Sequence, residues 1–243
     1  MGITRGPNIV TDGLVFAVDA ANPSSYVSGS NICKDQTTNQ NNGTLSSTTF
    51  SSANNGFFIF DGTDDTINFG DNESINNVVL GDNPIFTCEL WINPDSSTNS
   101  SCCGIGKTDG TSHMVFYNYP TGNQFNFNKI SGDTPSATRT FQVRTTFPHG
   151  NWTHYIWCYD GSGSTPSYTS YINGQLGTNT LSANDSTSKI GAGGDNLLMI
   201  GERMASGATD YNGELSIMRI YDRILSATEV LQNYNALKSR FGL

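Results

Sequence analysis

The sequence predicts an all-β fold: two antiparallel sheets packed face to face as a jelly-roll sandwich, with one short C-terminal helix. Three observations carry this. The chain has 243 residues, 35% hydrophobic and only 14% charged, and its apolar residues come in short bursts. Several bursts alternate with period two, as half-buried strands do. Between them lie Gly (26 residues), Asn, Ser and Thr, the residues that turns require. No linker and no fixed-period repeat interrupts the pattern, so residues 1–243 read as one domain with a short N-terminal arm, 1–12.

The elements follow in order. Gly13–Ala20 (GLVFAVDA) is a strand with Asp19 at its exit, and a polar loop follows through Thr44. NNGTL opens a short strand. Gly56–Phe60 and Thr66–Gly70 are strands flanking DGTDD. In NPIFTCELWINP, Phe86, Cys88, Leu90 and Ile92 share one face, and Thr87, Glu89, Trp91 and Asn93 the other. A long loop through Cys102 and Cys103 leads to HMVFYNY and NQFNFNKI, an antiparallel pair. In Thr153–Asp160, His154, Ile156 and Cys158 oppose Tyr155, Trp157 and Tyr159. YTSYINGQLG is a hairpin whose Asn173-Gly174 suits a type I′ turn. LLMIGER and GELSIMRIYDR are the last strands. A helix spans about 226–241: Ser226 and Glu229 form a capping box, and Val230, Leu231, Tyr234, Leu237 and Phe241 form one apolar stripe.

Charge narrows the function. Acidic residues outnumber basic ones 21 to 12, for a net charge of −9. Such a surface repels phosphate backbones and anionic membranes, which argues against nucleic acid and membrane insertion. No signal peptide opens the chain and no stretch is long enough to span a bilayer. The five cysteines are odd in number, so they cannot all pair within the chain. Cys88 and Cys158 fall in strands as small buried hydrophobes.

The candidate site residues are of two kinds. Asp61, Asp64 and Asp65 put three carboxylates in one short loop, with Asp210 (and Asp109, Asp185 and Asp195) in other polar loops. Calcium takes oxygen ligands of this type, while an Asp-Gly turn explains Asp61-Gly62 without a metal. Aromatic rings that cover the apolar face of a sugar form the second kind: Trp91, Tyr155, Trp157, Tyr159, Tyr117 and Tyr119, while core filling explains the same rings at least as well, since one side of each strand must pack inward. Glu89 is a lone strand carboxylate with aromatic company, facing a concave surface or solvent. Glycoside hydrolysis needs a second carboxylate about 5–9 Å away, and the sequence pairs Glu89 with none. His113, His149 and His154 have no zinc-ligand spacing. Gly191–Asp195 (GAGGD) has no Lys-Ser/Thr after it and reads as a loop.

DGLVFAVDAANPSSY, NNGTL…FFIFDGTDDTINFG and YNGELSIMRIYDRILSATEVLQNYNALKSRFG together resemble the laminin-G-like, concanavalin A-like jelly-roll family. The resemblance is closest to the version in structural proteins of tailed bacteriophages, marine ones especially. That version usually carries a Trp-Asp-Leu-Ser-Gly segment before the NNGTL match. Here NICKDQTTNQNNGTL keeps only the Asp, Asp35. The resemblance implies DGTDD at a hairpin and calcium, where present, at a sandwich rim. It also implies a non-enzymatic virion structural or decoration protein. Its partners would be other virion proteins, further copies of itself, or host-surface glycans bound as an adhesin.

Overall fold

The computed structural model describes residues 8–80, 83–97, 99–107, 113–131, 138–163, 165–184, 196–202 and 210–243. Among these the strands are β1 (Leu14–Asp19), β2 (Ile32–Cys33), β3 (Gly43–Ser46), β4 (Thr49–Ser51), β5 (Phe57–Asp61), β6 (Thr66–Gly70), β7 (Ile85–Pro94), β8 (Ser100–Lys107) and β9 (His113–Tyr119). Then come β10 (Gln124–Ser131), β11 (Thr138–Thr146), β12 (Thr153–Asp160), β13 (Ser167–Ile172), β14 (Gln175–Leu176), β15 (Asn179–Asn184), β16 (Asn196–Ile200) and β17 (Asn212–Tyr221). The helices are α1 (Glu73–Val79) and α2 (Ala227–Leu237), the latter continued by a 3-10 turn, Lys238–Phe241.

Two antiparallel sheets result. One runs β14-β13-β12-β7-β17-β5-β4, with β1 also paired to β17, and the other β15-β11-β10-β9-β8-β16-β6-β3-β2. Period-two alternation puts Phe58, Phe86, Leu90, Tyr155 and Trp157 of the eight-stranded sheet against Ile67, Phe116, Phe125, Phe127 and Ile200 of the nine-stranded one. The other face of the eight-stranded sheet is also covered. Trp91, Ile217 and Phe241 form one apolar cluster beneath α2, and Val10, Ile156, Tyr221, Leu225 and Val230 another.

The C-terminal helix starts where its capping box places it. Ser226 Oγ accepts from the Glu229 backbone N–H, and Glu229 Oε2 accepts from the Ser226 N–H. Ser226→Ala is expected to cost about 1 kcal/mol, roughly 2–4 °C in melting temperature by calorimetry. The buried stripe differs from the sequence reading at one position: Leu231 is 40% exposed, while Asn233 is fully buried. The polar Asn233 lies on the inner face because it has partners there. Its Oδ1 accepts from Val10 N–H at 2.8 Å, and Tyr221 Oη lies 3.0 Å from its Nδ2. Residues 8–12 are therefore not a free arm; Gln232 Nε2 also donates to Asn8 O.

Asn173 (φ 50°) and Gly174 (φ 75°) both take left-handed backbone between β13 and β14, as a type I′ turn requires. A Cβ at Gly174 would also lie 3.0 Å from the Tyr234 ring.

Other expectations need correction. DGTDD does not close a hairpin. β5 pairs with β4 and β17, β6 with β3 and β16, so the loop carries the chain from one sheet to the other. Cys102 and Cys103 lie in strand β8 and not in a loop. A register shift between Ser101 and Cys103 against β9 puts an extra residue into the strand, and both neighbouring thiols are buried. All five cysteines are free and buried. Helix α1 is an addition: seven residues show too little of the 3.6 period to announce themselves, although Ile75 and Val79 bury one face. Asp35, kept from the family segment, holds the β1–β3 loops together. Its carboxylate accepts from the N–H groups of Ala17, Thr37 and Asn41 at 3.0 Å each.

Candidate functional site

Among the described residues, three places bear on the candidate site residues. The first lies under α2. β7 places Glu89 on its outer face, and the helix seals it completely from solvent. Arg219 Nη1 of β17 donates to Glu89 Oε1 at 2.9 Å, and His154 Nε2 of β12 lies 3.1 Å from the same oxygen. Asn233 Nδ2 donates to Oε2 at 2.8 Å and Tyr221 Oη at 3.3 Å. Burial alone raises the carboxyl's pKa. The Arg219 charge and the hydrogen bonds from His154 and Asn233 outweigh it and hold the group at about 2. Glu89 thus faces neither a cleft nor solvent: its carboxylate ties β7, β12, β17 and α2 together.

The second is the DGTDD crossover. Carboxylate oxygens of Asp61, Asp64 and Asp65 lie within 4.8 Å of one another. Each has a use in the loop. Asp61 Oδ1 accepts from Thr63 N–H, Asp65 Oδ2 from Asp61 N–H, and Asp64 Oδ2 from Ser47 Oγ. Gly62, at φ 82°, makes the turn. Burial raises the carboxyl of Asp65, and burial with the charges of Asp64 and Asp61 raises that of Asp210. Calcium takes six to eight oxygens, and these carboxylates are already engaged as turn acceptors, so we derive no metal chemistry from them. Asp109, Asp185, Asp195 and the GAGGD segment lie outside the described residues. Beside the crossover, a cleft of about 260 Å³ is lined by Asn93, Asp95, Asn212 and Glu214 among others.

The third is the outer face of the nine-stranded sheet across β9, β10 and β11. Met114, Phe116, Phe125, Phe127 and Val143 point into the core. Their neighbours therefore lie on the opposite face: Val115, Tyr117 and Tyr119 from β9; Gln124, Asn126 and Asn128 from β10; Gln142, Arg144 and Thr146 from β11, of which Val115, Asn126, Asn128 and Gln142 are nonetheless buried. Register aligns them in rows. Asn126 lies opposite Tyr117 on one side and Arg144 on the other, and Asn128 opposite Val115 and Gln142.

The six aromatic candidates divide between core and surface. Tyr155, Trp157 and Tyr159 are at most 3% exposed and fill the space between the sheets, where Trp157 stacks on Phe127 with centroids 4.9 Å apart. Trp91 is also fully buried, stacked on Phe241 at 4.3 Å beneath the C-terminal segment. These four are not a platform, because each one's strand face is covered by the opposite sheet or by the helix. Tyr117 and Tyr119 are half-buried on the outer face. The amides and Arg144 beside them drew no notice in the sequence, where Asn is common throughout. The alternation of NQFNFNKI, with Phe in and Asn out, was the available signal.

Two antiparallel sheets packed face to face define a concanavalin A-like jelly-roll sandwich. Residues 61–231 match the profile of the concanavalin A-like lectin/glucanases superfamily, and the chain belongs to that family. No curated protein matches the chain in sequence. Among solved structures it is similar to domain 4 of a GH43 extracellular arabinanase from Geobacillus stearothermophilus, solved with arabinotriose. There the TM-score is 0.61 at 17% identity, over 93% of this chain and 100% of that one. It is also similar to Trypanosoma rangeli sialidase in complex with sialic acid (TM-score 0.60, 14% identity, 97% of this chain but 35% of that one). A third is the botulinum neurotoxin type G receptor binding domain (TM-score 0.57, 16% identity, 92% of this chain and 51% of that one). At such identities the likeness shows the fold alone.

Proposed function

We propose that this chain is a non-enzymatic jelly-roll module that presents a binding surface, and that it does so on the virion of a tailed bacteriophage. The observation that carries the first half is the state of Glu89. The strand carboxylate in aromatic company is sealed under α2 and committed to four side chains of its own protein. A group so placed reaches no glycosidic bond. The virion half rests on the three sequence segments that resemble phage structural proteins; Asp35, within the departing segment, still organises its loops. Glycan recognition is the second reading. It is favoured by the outer-face tyrosines and by a structural neighbour solved with arabinotriose.

Incubation with a panel of oligosaccharides, followed by mass spectrometry, is expected to return every glycan at its original mass, with and without EDTA. Shortened products would overturn the non-enzymatic reading and direct attention to the cleft holding Asp95 and Glu214. Proteomics of purified particles is expected to find the chain at a fixed stoichiometry; its absence from particles would end the virion reading.

A further inference from the structure

The C-terminal segment covers the outer face of the eight-stranded sheet only in part. Its last cover is Phe241, stacked on Trp91 at 4.3 Å and packed against Trp152, which in turn meets Phe57. Two residues further along the same strand faces come Asn93 of β7 and Ile59 of β5. Phe58, Phe60, Ile92 and Leu215 point into the core, so Ile59, Glu214 and Asn93 share the outer face. Register sets them in one row, with Glu214 of β17 opposite Ile59 on one side and Asn93 on the other.

This row floors the cleft of about 260 Å³. The cleft is open. Ile59, Asn93, Asp95, Asn212 and Glu214 are partly exposed, and Ser96 and Gly150 at its edge are exposed. Its volume falls below the roughly 300 Å³ at which small-molecule sites begin, so it suits one extended side chain better than a sugar chain.

Its charge selects the side chain. Asn93 Nδ2 donates to Glu214 Oε2 at 2.8 Å and fixes the carboxylate. Glu214 has no ion pair among the described residues, whereas Glu89, Asp19 and Glu229 each have an arginine of this chain. Asp95 lines the same cleft, and the exposed Asp61 stands opposite Asn212 in register. An acidic ligand is repelled here and a cation attracted. Arginine lays its aliphatic stem on apolar surface while its planar fork matches a carboxylate. Ile59 beside Glu214 offers both parts.

We infer that this cleft receives an arginine side chain from a partner protein. The stem lies along Ile59, and the guanidinium reaches Glu214 with Asp95 beside it. The inference goes beyond the functions proposed above. It rests on the cleft alone and stands or falls whether or not the chain is found on particles or binds glycans.

The test is an amide-resolved NMR titration of the full chain with acetyl-Gly-Arg-Gly-amide and with its citrulline counterpart, which keeps the shape and lacks the charge. Both are repeated on Glu214→Gln, which keeps the acceptor for Asn93, and on Ser96→Trp, which narrows the mouth from an exposed position. Circular dichroism confirms that each variant is folded. The arginine peptide is expected to shift Ile59, Asn93, Asp95, Ser96, Asn212 and Glu214. The citrulline peptide is expected to bind at least roughly ten-fold more weakly, and Glu214→Gln to remove that difference. Ser96→Trp is expected to lose binding, and added salt to weaken it. Equal binding of the two peptides, or arginine binding unchanged in both variants, would overturn the inference. So would silence from the arginine peptide at these residues. Calcium chloride or a neutral oligosaccharide shifting these residues while the arginine peptide does not would reassign the cleft.

Discussion

Glu89→Ala is expected to destabilise the fold by about 3–5 kcal/mol, because it strands Arg219 as a buried charge without a partner. It also leaves His154, Asn233 and Tyr221 without their shared acceptor. For a chain of this size the loss corresponds to roughly 6–20 °C in melting temperature, and urea unfolding would measure it. The same group shapes acid stability. Its folded pKa of about 2 lies below the unfolded value of about 4.3. The stabilisation is therefore complete above pH ~4.3 and is lost as pH falls toward ~2. Glu89→Gln, which cannot titrate, is expected to flatten stability against pH in that window. A variant within about 1 kcal/mol of the parent, with an unchanged acid limb, would contradict this placement of Glu89.

Trp157→Ala is expected to cost about 3–5 kcal/mol of stability, and Tyr117→Ala less than about 1 kcal/mol. The contrast follows from their faces. Trp157 is fully buried and stacks between Phe127 and Tyr168, whereas Tyr117 stands half-buried on the outer sheet surface. Trp157 Nε1 has no hydrogen-bond partner, so Trp157→Phe is expected to recover much of the loss. In binding the order reverses: Tyr117→Ala weakens glycan capture while Trp157→Phe leaves it unchanged. Urea titration and glycan binding on the same three variants check both halves. A stable Trp157→Ala would show that the ring is not the core element described.

Much of this was readable from residues. Alternation in FTCELWI and THYIWCYD gave the correct faces, because period two is a local property of the chain. The capping box and the Asn-Gly turn were legible for the same reason: both are local chemistry. What lay on each face was not. Nothing local told that Tyr155 and Trp157 meet the second sheet while Trp91 meets a helix about 150 residues later, through Tyr234 and Phe241. The aromatic platform read from strand neighbours was therefore mostly core. The hairpin at DGTDD was implied by the family resemblance; the separation of its two strands into different sheets is set by long-range pairing with β17 and β16. Asn126 and Asn128 were hidden by abundance. Burial of a side-chain oxygen without a partner, which Asn76, Asn93 and Asn99 share, is a property of the folded chain and not of the sequence.

The most direct test of the glycan reading is an amide-resolved NMR titration of the chain with a panel of neutral and acidic oligosaccharides. The account expects shifts at Tyr117 and Tyr119 and at the accessible positions beside them, Gln124, Arg144 and Thr146, with β7 and β12 silent. Shifts centred instead on Asp61–Asp65, Asp210 or the cleft at Asp95 and Glu214 would contradict it and move the functional site to the sandwich rim.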